Sequence, residues 1–163
     1  DPPERWYELQ KKVKNTVFDS SWHGRNNIGK TNISRFDLEK LASTLKYSDV
    51  HVNVSSTMTI DGAIFDRPKT GPVYDNRHGA KIDNAMLDLY FREHFLPITE
   101  SGGLEIARSR DELIQLINLG LQAPSRLKNQ REKMVKEICT YFLKHATERV
   151  AQSIIGFVNK YEK

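Results

Sequence analysis

Apolar residues recur at helical spacing through the last forty residues of the chain, from Pro124 to Lys163. Nearly all steps between them are three or four residues, which places them on one face of an α-helix. The stripe consists of Leu127, Met134, Ile138, Phe142, Ala146, Val150, Ile154, Phe157 and Tyr161. At about 1.5 Å per residue, such a helix would be roughly 55 Å long. We therefore predict a long C-terminal helix whose apolar stripe is covered by shorter elements.

Four shorter helices are predicted from the same periodicity. The first begins near Pro3, and its stripe is Trp6, Leu9, Val13 and Val17. The second follows Ser34, a favoured N-cap residue, with Asp37 in the first turn. The third covers residues 80–95 and is apolar on most sides, which makes it the expected central helix. The fourth begins at a capping box formed by Ser109 and Glu112 and ends near Gly120.

The pattern changes to a period of two between residues 49 and 65. Val50, Val52 and Val54 alternate with polar residues, and Met58, Ile60 and Ile64 follow at even-numbered positions. Alternation of this kind is typical of strands, so a β-hairpin is predicted at about 49–65. The expected fold is mainly α within the α+β class. About five helices pack on the long C-terminal helix, with one small β-hairpin, in a single helical domain covering residues 1–163.

Composition supports a soluble globular protein. Apolar residues make up 38% and charged residues 28% of the chain, and no apolar run approaches the length of a membrane span. The single cysteine, Cys139, excludes an internal disulfide framework, so the compartment stays open. A cytoplasmic location is favoured. Secretion is kept as an alternative because Asn32 and Asn53 each begin a glycosylation sequon.

Charge is distributed unevenly along the chain. The net charge is +3 over residues 1–46, −4 over residues 47–125 and +5 over residues 126–163. The cations away from the C-terminal apolar stripe form a basic face that consists of Arg126, Lys128, Arg131, Lys133, Lys136 and Lys144. Such a face attracts phosphates or carboxylates. The leading hypothesis is a non-enzymatic binding or assembly domain with an acidic partner, either nucleic acid or protein, including self-association.

One motif indicates different chemistry. The segment from Gly24 to Thr31, Gly-Arg-Asn-Asn-Ile-Gly-Lys-Thr, matches the phosphate-binding pattern G-x-x-x-x-G-K-[ST]. It resembles the P-loop of nucleoside triphosphatases, in which backbone amides and the lysine bind phosphates and the hydroxyl binds Mg²⁺. The resemblance implies phosphate-binding roles for Gly24, Gly29, Lys30 and Thr31. Residues 63–66 resemble the strand that ends in a metal-binding carboxylate.

The context of the motif argues against a P-loop. A P-loop follows a buried strand and belongs to a parallel sheet, whereas Gly24 follows polar residues and a predicted helix. No convincing strand is predicted after residue 66. An atypical P-loop nucleotide-binding protein is therefore the runner-up hypothesis, and parallel strands in a structure would favour it over the first.

Other constellations are weaker. The five histidines show no metal-ligand spacing, and no nucleophile motif occurs, so no catalytic residue, metal site or cofactor is predicted. A secreted helical ligand, supported by the two sequons alone, is the third hypothesis.

Overall fold

The computed structural model describes residues 3–19, 34–75, 81–139 and 145–161. The chain forms two compact units, residues 1–43 and residues 44–163. Within the described ranges there are eight helices and five short strands, and more than half of the described residues are helical. The prediction of a mainly α fold with some β structure is confirmed. That residues 1–163 form one domain stays a prediction.

The elements follow one another in the order given by their residue ranges. The helices are α1 (Pro3–Lys12), α2 (Arg35–Tyr47), α3 (Met58–Ile64), α4 (Asn84–Tyr90), α5 (Leu96–Glu100), α6 (Arg110–Gln122), α7 (Lys128–Ile138) and α8 (Ala146–Tyr161). The strands are β1 (His51–Val52), β2 (Lys69–Pro72), β3 (Tyr74–Asp75), β4 (Lys81–Ile82) and β5 (Glu105–Ala107).

Two of the predicted helix starts are confirmed by their capping hydrogen bonds. At the start of α2, the Asp37 amide donates to Ser34 Oγ, and the Ser34 amide donates to Asp37 Oδ2 at 2.9 Å. At the start of α6, the Glu112 amide donates to Ser109 Oγ at 3.1 Å. Both side chains satisfy amides that the first helical turn leaves without carbonyl partners.

A three-stranded parallel sheet lies in the unit formed by residues 44–163. Its strand order is β1-β2-β5, and the register pairs His51 with Lys69 and Thr70 with Glu105. Parallel neighbours need a crossover connection. Helix α3 lies between β1 and β2 in the chain, and α4 and α5 lie between β2 and β5. The sheet is therefore built from consecutive strand–helix–strand units.

The predicted β-hairpin at 49–65 is wrong. Its first half contains β1, but β1 pairs in parallel with β2 rather than with the following segment. Residues 58–64 form helix α3 instead of a second strand. Ile60 and Ile64 are four residues apart, so they satisfy helical spacing as well as alternation. The antiparallel pair that does occur joins β3 to β4.

The predicted helix at 80–95 is also shorter than expected. Residues 81–82 form β4, α4 ends at Tyr90, and α5 begins separately at Leu96. Of the residues of α4, Tyr90 is the buried one. Its ring meets that of Phe95 edge to face, with the centroids 5.7 Å apart. The hydrophobic core of this unit contains Ala63, Val73, Tyr90, Phe95, Ile98, Leu104 and Met134.

The C-terminal forty residues do not form one continuous covering helix. Helix α7 ends at Ile138, and α8 begins at Ala146. Met134 of α7 is buried in the core, whereas no residue of α8 is buried. The apolar stripe on α8 is therefore not a lid on the shorter helices in the described structure. Residues 140–144, which include Phe142, lie outside the described residues.

Gly71 and Gly156 provide a matched test of the packing. A Cβ on Gly71 would lie 2.3 Å from Tyr90 Oη, whereas a Cβ on Gly156 would meet no described atom within 4 Å. We expect Gly71→Ala to lower the free energy of unfolding by about 1–3 kcal/mol through overpacking against Tyr90. Gly156→Ala should not destabilise, because alanine is favoured over glycine in a helix by about 0.5–1 kcal/mol. Urea unfolding of both variants measures the difference, and equal effects would contradict this packing.

Candidate functional site

The carboxyl ends of β1, β2 and β5 lie at one edge of the parallel sheet, because all three strands point the same way. Strand β1 leads into residues 53–57, Asn-Val-Ser-Ser-Thr, which precede α3. Strand β5 leads through Arg108 and Ser109 into α6. We call residues 53–57 with Arg108 and Ser109 the carboxyl edge. It combines amide, hydroxyl and guanidinium side chains.

Hydrogen bonds fix the conformation of residues 53–57. The Asn53 amide donates to the Thr70 carbonyl at 3.2 Å, and Asn53 Nδ2 donates to Thr59 Oγ1 at 2.8 Å. Ser55 Oγ donates to the Leu89 carbonyl at 3.0 Å. Thr57 is the N-cap residue of α3, but its side chain makes no capping hydrogen bond. Thr57 is exposed, and its hydroxyl does not bond to the amides of the first turn of α3.

Tyr90 supports the carboxyl edge from within the core. Its side chain is fully buried, and its hydroxyl lies 3.4 Å from the Asn53 carbonyl and 3.3 Å from the Pro72 carbonyl. Burial raises the pKa of Tyr90, so the hydroxyl keeps its proton and acts as a donor. The ends of β1 and β2 are therefore tied to α4 at the point where the carboxyl edge begins.

A second polar group lies at the opposite, amino end of the sheet. Lys69 begins β2, has only 2% of its surface exposed, and donates from Nζ to the Arg67 carbonyl at 2.6 Å. Burial and, after it, the nearby guanidinium of Arg131 lower the pKa of Lys69 to about 7, against the opposing effect of Asp66. With this pKa, Lys69 carries about half of a positive charge at pH 7, whereas a lysine with the ordinary pKa of about 10.4 is fully charged there.

His51 lies on β1 beside Lys69. Its Nε2 is 3.0 Å from the Leu45 carbonyl, which accepts a hydrogen bond, so in the neutral ring Nδ1 carries the lone pair. Nδ1 is buried and has no hydrogen-bond partner among the described residues. Burial and the charge of Lys69 lower the pKa of His51. No motif or spacing in the sequence indicates a role for Lys69 or His51, although His51 lies in the predicted strand between Val50 and Val52.

Arg131 is buried at the start of α7, with 1% of its surface exposed. Its Nε donates to Asp66 Oδ1 at 2.7 Å, and Nη2 lies 2.7 Å from the same oxygen in the ion pair. Nη1 donates to the Arg126 carbonyl and Nη2 to the Pro124 carbonyl, both at 2.8 Å. The guanidinium group therefore links the α3–β2 connection to the α6–α7 connection. Its role is internal, and it does not belong to an exposed basic face.

Asp66 follows Phe65, the C-cap residue of α3, and occupies a left-handed backbone conformation with φ of 53°. The Asp66 amide donates to the Ala63 carbonyl at 2.9 Å, and the Arg67 amide donates to the Gly62 carbonyl at 3.4 Å. This is the hydrogen-bond pattern of a Schellman C-cap, in which glycine is the usual left-handed residue. An aspartate here keeps that turn and also places a carboxylate on Arg131.

Three other members of the predicted basic face have carboxylate neighbours. Arg126 forms an ion pair with Glu105, and both side chains are partly buried. Lys128 lies 3.8 Å from Glu132, and Lys133 lies 3.9 Å from Glu137, in exposed pairs one helical turn apart. Lys136 is exposed on α7. Lys144 lies outside the described residues, and binding of a partner by this face stays a prediction.

The P-loop-like segment, with Gly24, Gly29, Lys30 and Thr31, also lies outside the described residues. Its proposed second element is wrong, because residues 63 and 64 end helix α3 and Asp66 binds Arg131. The expectation that no strand follows residue 66 is wrong as well, since β2 and β5 are parallel strands. The expected absence of parallel strands therefore no longer counts against a nucleotide site. However, β1, β2 and β5 all follow the motif in sequence, whereas a P-loop comes directly after a strand.

Of the asparagines that begin the two predicted sequons, the structure describes Asn53. Asn32 lies outside the described residues. Asn53 is half-buried, and its Nδ2, the atom that would carry a glycan, already donates to Thr59.

Cys139 is partly buried at the end of α7, and burial followed by the charge of Asp61 raises its thiol pKa. A raised pKa keeps the thiol protonated and unreactive.

Within the described ranges, no group of three or more His, Cys, Asp or Glu residues could hold a metal ion. None of the described helices has the length and apolar character that crossing a membrane requires. No protein-family model matches the chain, and no curated protein and no solved structure matches it.

The Arg131–Asp66 pair can be tested with a substitution that retains the turn. Asparagine tolerates the left-handed conformation, so Asp66→Asn removes the charge and leaves the C-cap. We expect Asp66→Asn to lower the free energy of unfolding by about 2–3 kcal/mol. This is less than for a fully buried pair, because the Asp66 side chain is 41% exposed. Glu132→Gln, which removes the exposed pair with Lys128, should change stability by less than about 0.5 kcal/mol. Chemical unfolding compares the two, and equal losses would show that Arg131 does not depend on Asp66.

Proposed function

We propose that residues 44–139 form a binding domain for a small polar ligand, and that this ligand lies at the carboxyl edge. The observation that carries the proposal is the all-parallel pairing of β1, β2 and β5. In open parallel sheets with helical crossovers, ligands bind outside the carboxyl ends of the strands, where the connecting loops converge. The support is thus topological, and the loop residues define which ligand is accepted.

The residues of the carboxyl edge favour a ligand with several hydrogen-bonding groups. Residues 53–57 contain three hydroxyl side chains and no acidic residue. The exposed Arg108 side chain lies 3.9 Å from Glu112, a separation that leaves its guanidinium group accessible. Nucleotides combine phosphates with hydrogen-bonding rings, so they are the first class to test. This site does not require the Gly24–Thr31 segment, and Lys30→Ala separates the two hypotheses.

We expect a nucleotide at millimolar concentration to shift the backbone amide resonances of residues 53–57 and 108–110. ATP, GTP, CTP and UTP, each with Mg²⁺, form the panel, and inorganic phosphate is the reference for phosphate alone. Arg108→Gln should raise the dissociation constant about tenfold by removing a charged hydrogen-bond donor. Thr57→Val should also weaken binding without loss of stability, because its hydroxyl makes no capping bond.

Thr147→Val, an equivalent change on exposed helix α8, is the matched control and should leave the dissociation constant unchanged. Nucleotide binding that is lost in Lys30→Ala but retained in Arg108→Gln and Thr57→Val would move the site to the Gly24–Thr31 segment. If none of the panel shifts the carboxyl-edge resonances, the nucleotide class is excluded.

A second proposal concerns the exposed cations of α7. Lys128, Lys133 and Lys136 are exposed, and the two pairs with glutamate are long and solvent-accessible. Such pairs contribute little, so the lysines remain able to contact an acidic protein or nucleic acid. Arg131 is excluded from this surface by its burial, and Arg126 is occupied by Glu105.

If this basic surface binds nucleic acid, affinity should depend weakly on sequence and fall steeply with salt concentration. Reversing the charges of Lys128, Lys133 and Lys136 should reduce the slope of log K against log salt by about 2–3. Fluorescence anisotropy with labelled single- and double-stranded oligonucleotides measures the slope. Reversal of Lys11, Lys12 and Lys14 near α1 is the control. An equal reduction in the control would mean that binding follows net charge rather than this surface.

A further inference from the structure

Helix α3 packs against the side chains of His51 and Lys69 at Gly62. A Cβ placed on Gly62 would lie 2.1 Å from His51 Nδ1 and 3.2 Å from Lys69 Nζ. The backbone of α3 can approach the sheet this closely only because Gly62 has no side chain. The contact brings the amino ends of β1 and β2 against the middle of α3, and neither basic group is supplied with its own carboxylate.

The charges around Lys69 do not favour an ammonium ion. Arg131 of α7 and Arg67 of the α3–β2 connection are both cationic, and Asp66 is bound to Arg131. Glu105 of β5 is paired with Arg126. Asp61, the charged residue of α3, lies close enough to Cys139 for its charge to raise the pKa of that thiol. Helix α6 has no charged residue between Leu113 and Gln122. A buried charge without its own partner is costly, so protonation of Lys69 opposes this packing.

His51 adds a second group of the same kind. Its Nε2 is bonded to the Leu45 carbonyl, and its Nδ1 faces Gly62 with no acceptor among the described residues. Protonation would place an N–H donor there, beside the Lys69 ammonium. The contact with Gly62 is therefore compatible with neutral side chains and unfavourable when both are charged.

We propose that His51, Lys69 and Gly62 form a proton-controlled latch, which holds α3 on the parallel sheet while the two basic side chains are neutral and releases it as they take up protons. Because α3 begins directly after residues 53–57, release also loosens the end of this segment that joins the helix. The latch itself does not rest on the proposed ligand, since it depends only on the contact between α3 and the sheet.

The direction of the pH dependence follows from proton counting. When α3 is released, Lys69 returns to its ordinary pKa of about 10.4, whereas in the closed state the pKa is about 7. Between these values the open state binds one more proton, so its population rises as pH falls, by up to about tenfold per pH unit. Below pH 7 the Lys69 effect levels off. His51, whose pKa is lowered in the closed state, then adds a further rise below about pH 6.5.

Two measurements on the full chain test the latch. The first follows the ¹³Cε resonances of the lysines, with Lys69→Met identifying the Lys69 signal. We expect Lys69 to titrate near pH 7, and a titration near pH 10 would overturn the proposal. The titration is followed in the unsubstituted protein, and a lysine signal that titrates near pH 7 is distinguishable from ordinary lysine signals even if the variant folds poorly.

The second measures amide hydrogen exchange of α3 and α6 from about pH 6 to about pH 8, corrected for intrinsic rates. The α3 amides should exchange through a lower-energy opening than the α6 amides, with protection rising about fivefold between pH 7 and pH 8, because Lys69 is already half protonated in the closed state at pH 7. Lys69→Met should remove that slope, and Lys136→Met, an exposed α7 lysine, should retain it. Exchange of α3 and α6 in a single global step, or an unchanged slope in Lys69→Met, would overturn the latch.

Discussion

A buried guanidinium group must have acceptors for its donors. For Arg131 of α7, this constraint determines how the α3–β2 connection and the α6–α7 connection meet. Asp66 and the carbonyls of Pro124 and Arg126 supply those acceptors. They come from the connection after α3 and from the connection before α7, so neither can move without exposing unsatisfied donors. Asp66 binds this guanidinium group from its left-handed turn, and α7 carries the group beside Met134, which packs in the core.

Local signals in the sequence predicted local structure well. The capping residues Ser34 and Ser109 identified where α2 and α6 begin, because the bonds they make span only three residues. Strands β2 and β5 were missed because their sequences, Lys-Thr-Gly-Pro and Glu-Ile-Ala, lack the alternation of a half-buried strand. Their conformation depends on pairing with neighbours far away in sequence, and strand propensity describes such context poorly.

The candidate sites show the same distinction between local and distant information. The basic face was inferred from helical spacing, which places cations on a surface but does not say which of them is buried. Arg131 differs from Lys128 and Lys133 because Asp66, 65 residues earlier, lies within hydrogen-bond distance. The lowered pKa of Lys69 likewise depends on α3 and α7 covering it, which no pattern around Lys69 indicates. The carboxyl edge was not predictable until the strands were known to be parallel.

Helices α7 and α8 show how far periodicity can be taken. Both continue one apolar stripe in sequence, yet Met134 is fully buried while Ile154 and Phe157 are 59% and 66% exposed. A stripe of this kind shows that a helix has one apolar face, but the burial of that face depends on the rest of the structure. An isolated helix of this length is marginal in water, since most helical stability in proteins comes from packing. The contacts of the described residues account for the position of α7 through Arg131 and Met134, and they provide no equivalent for α8.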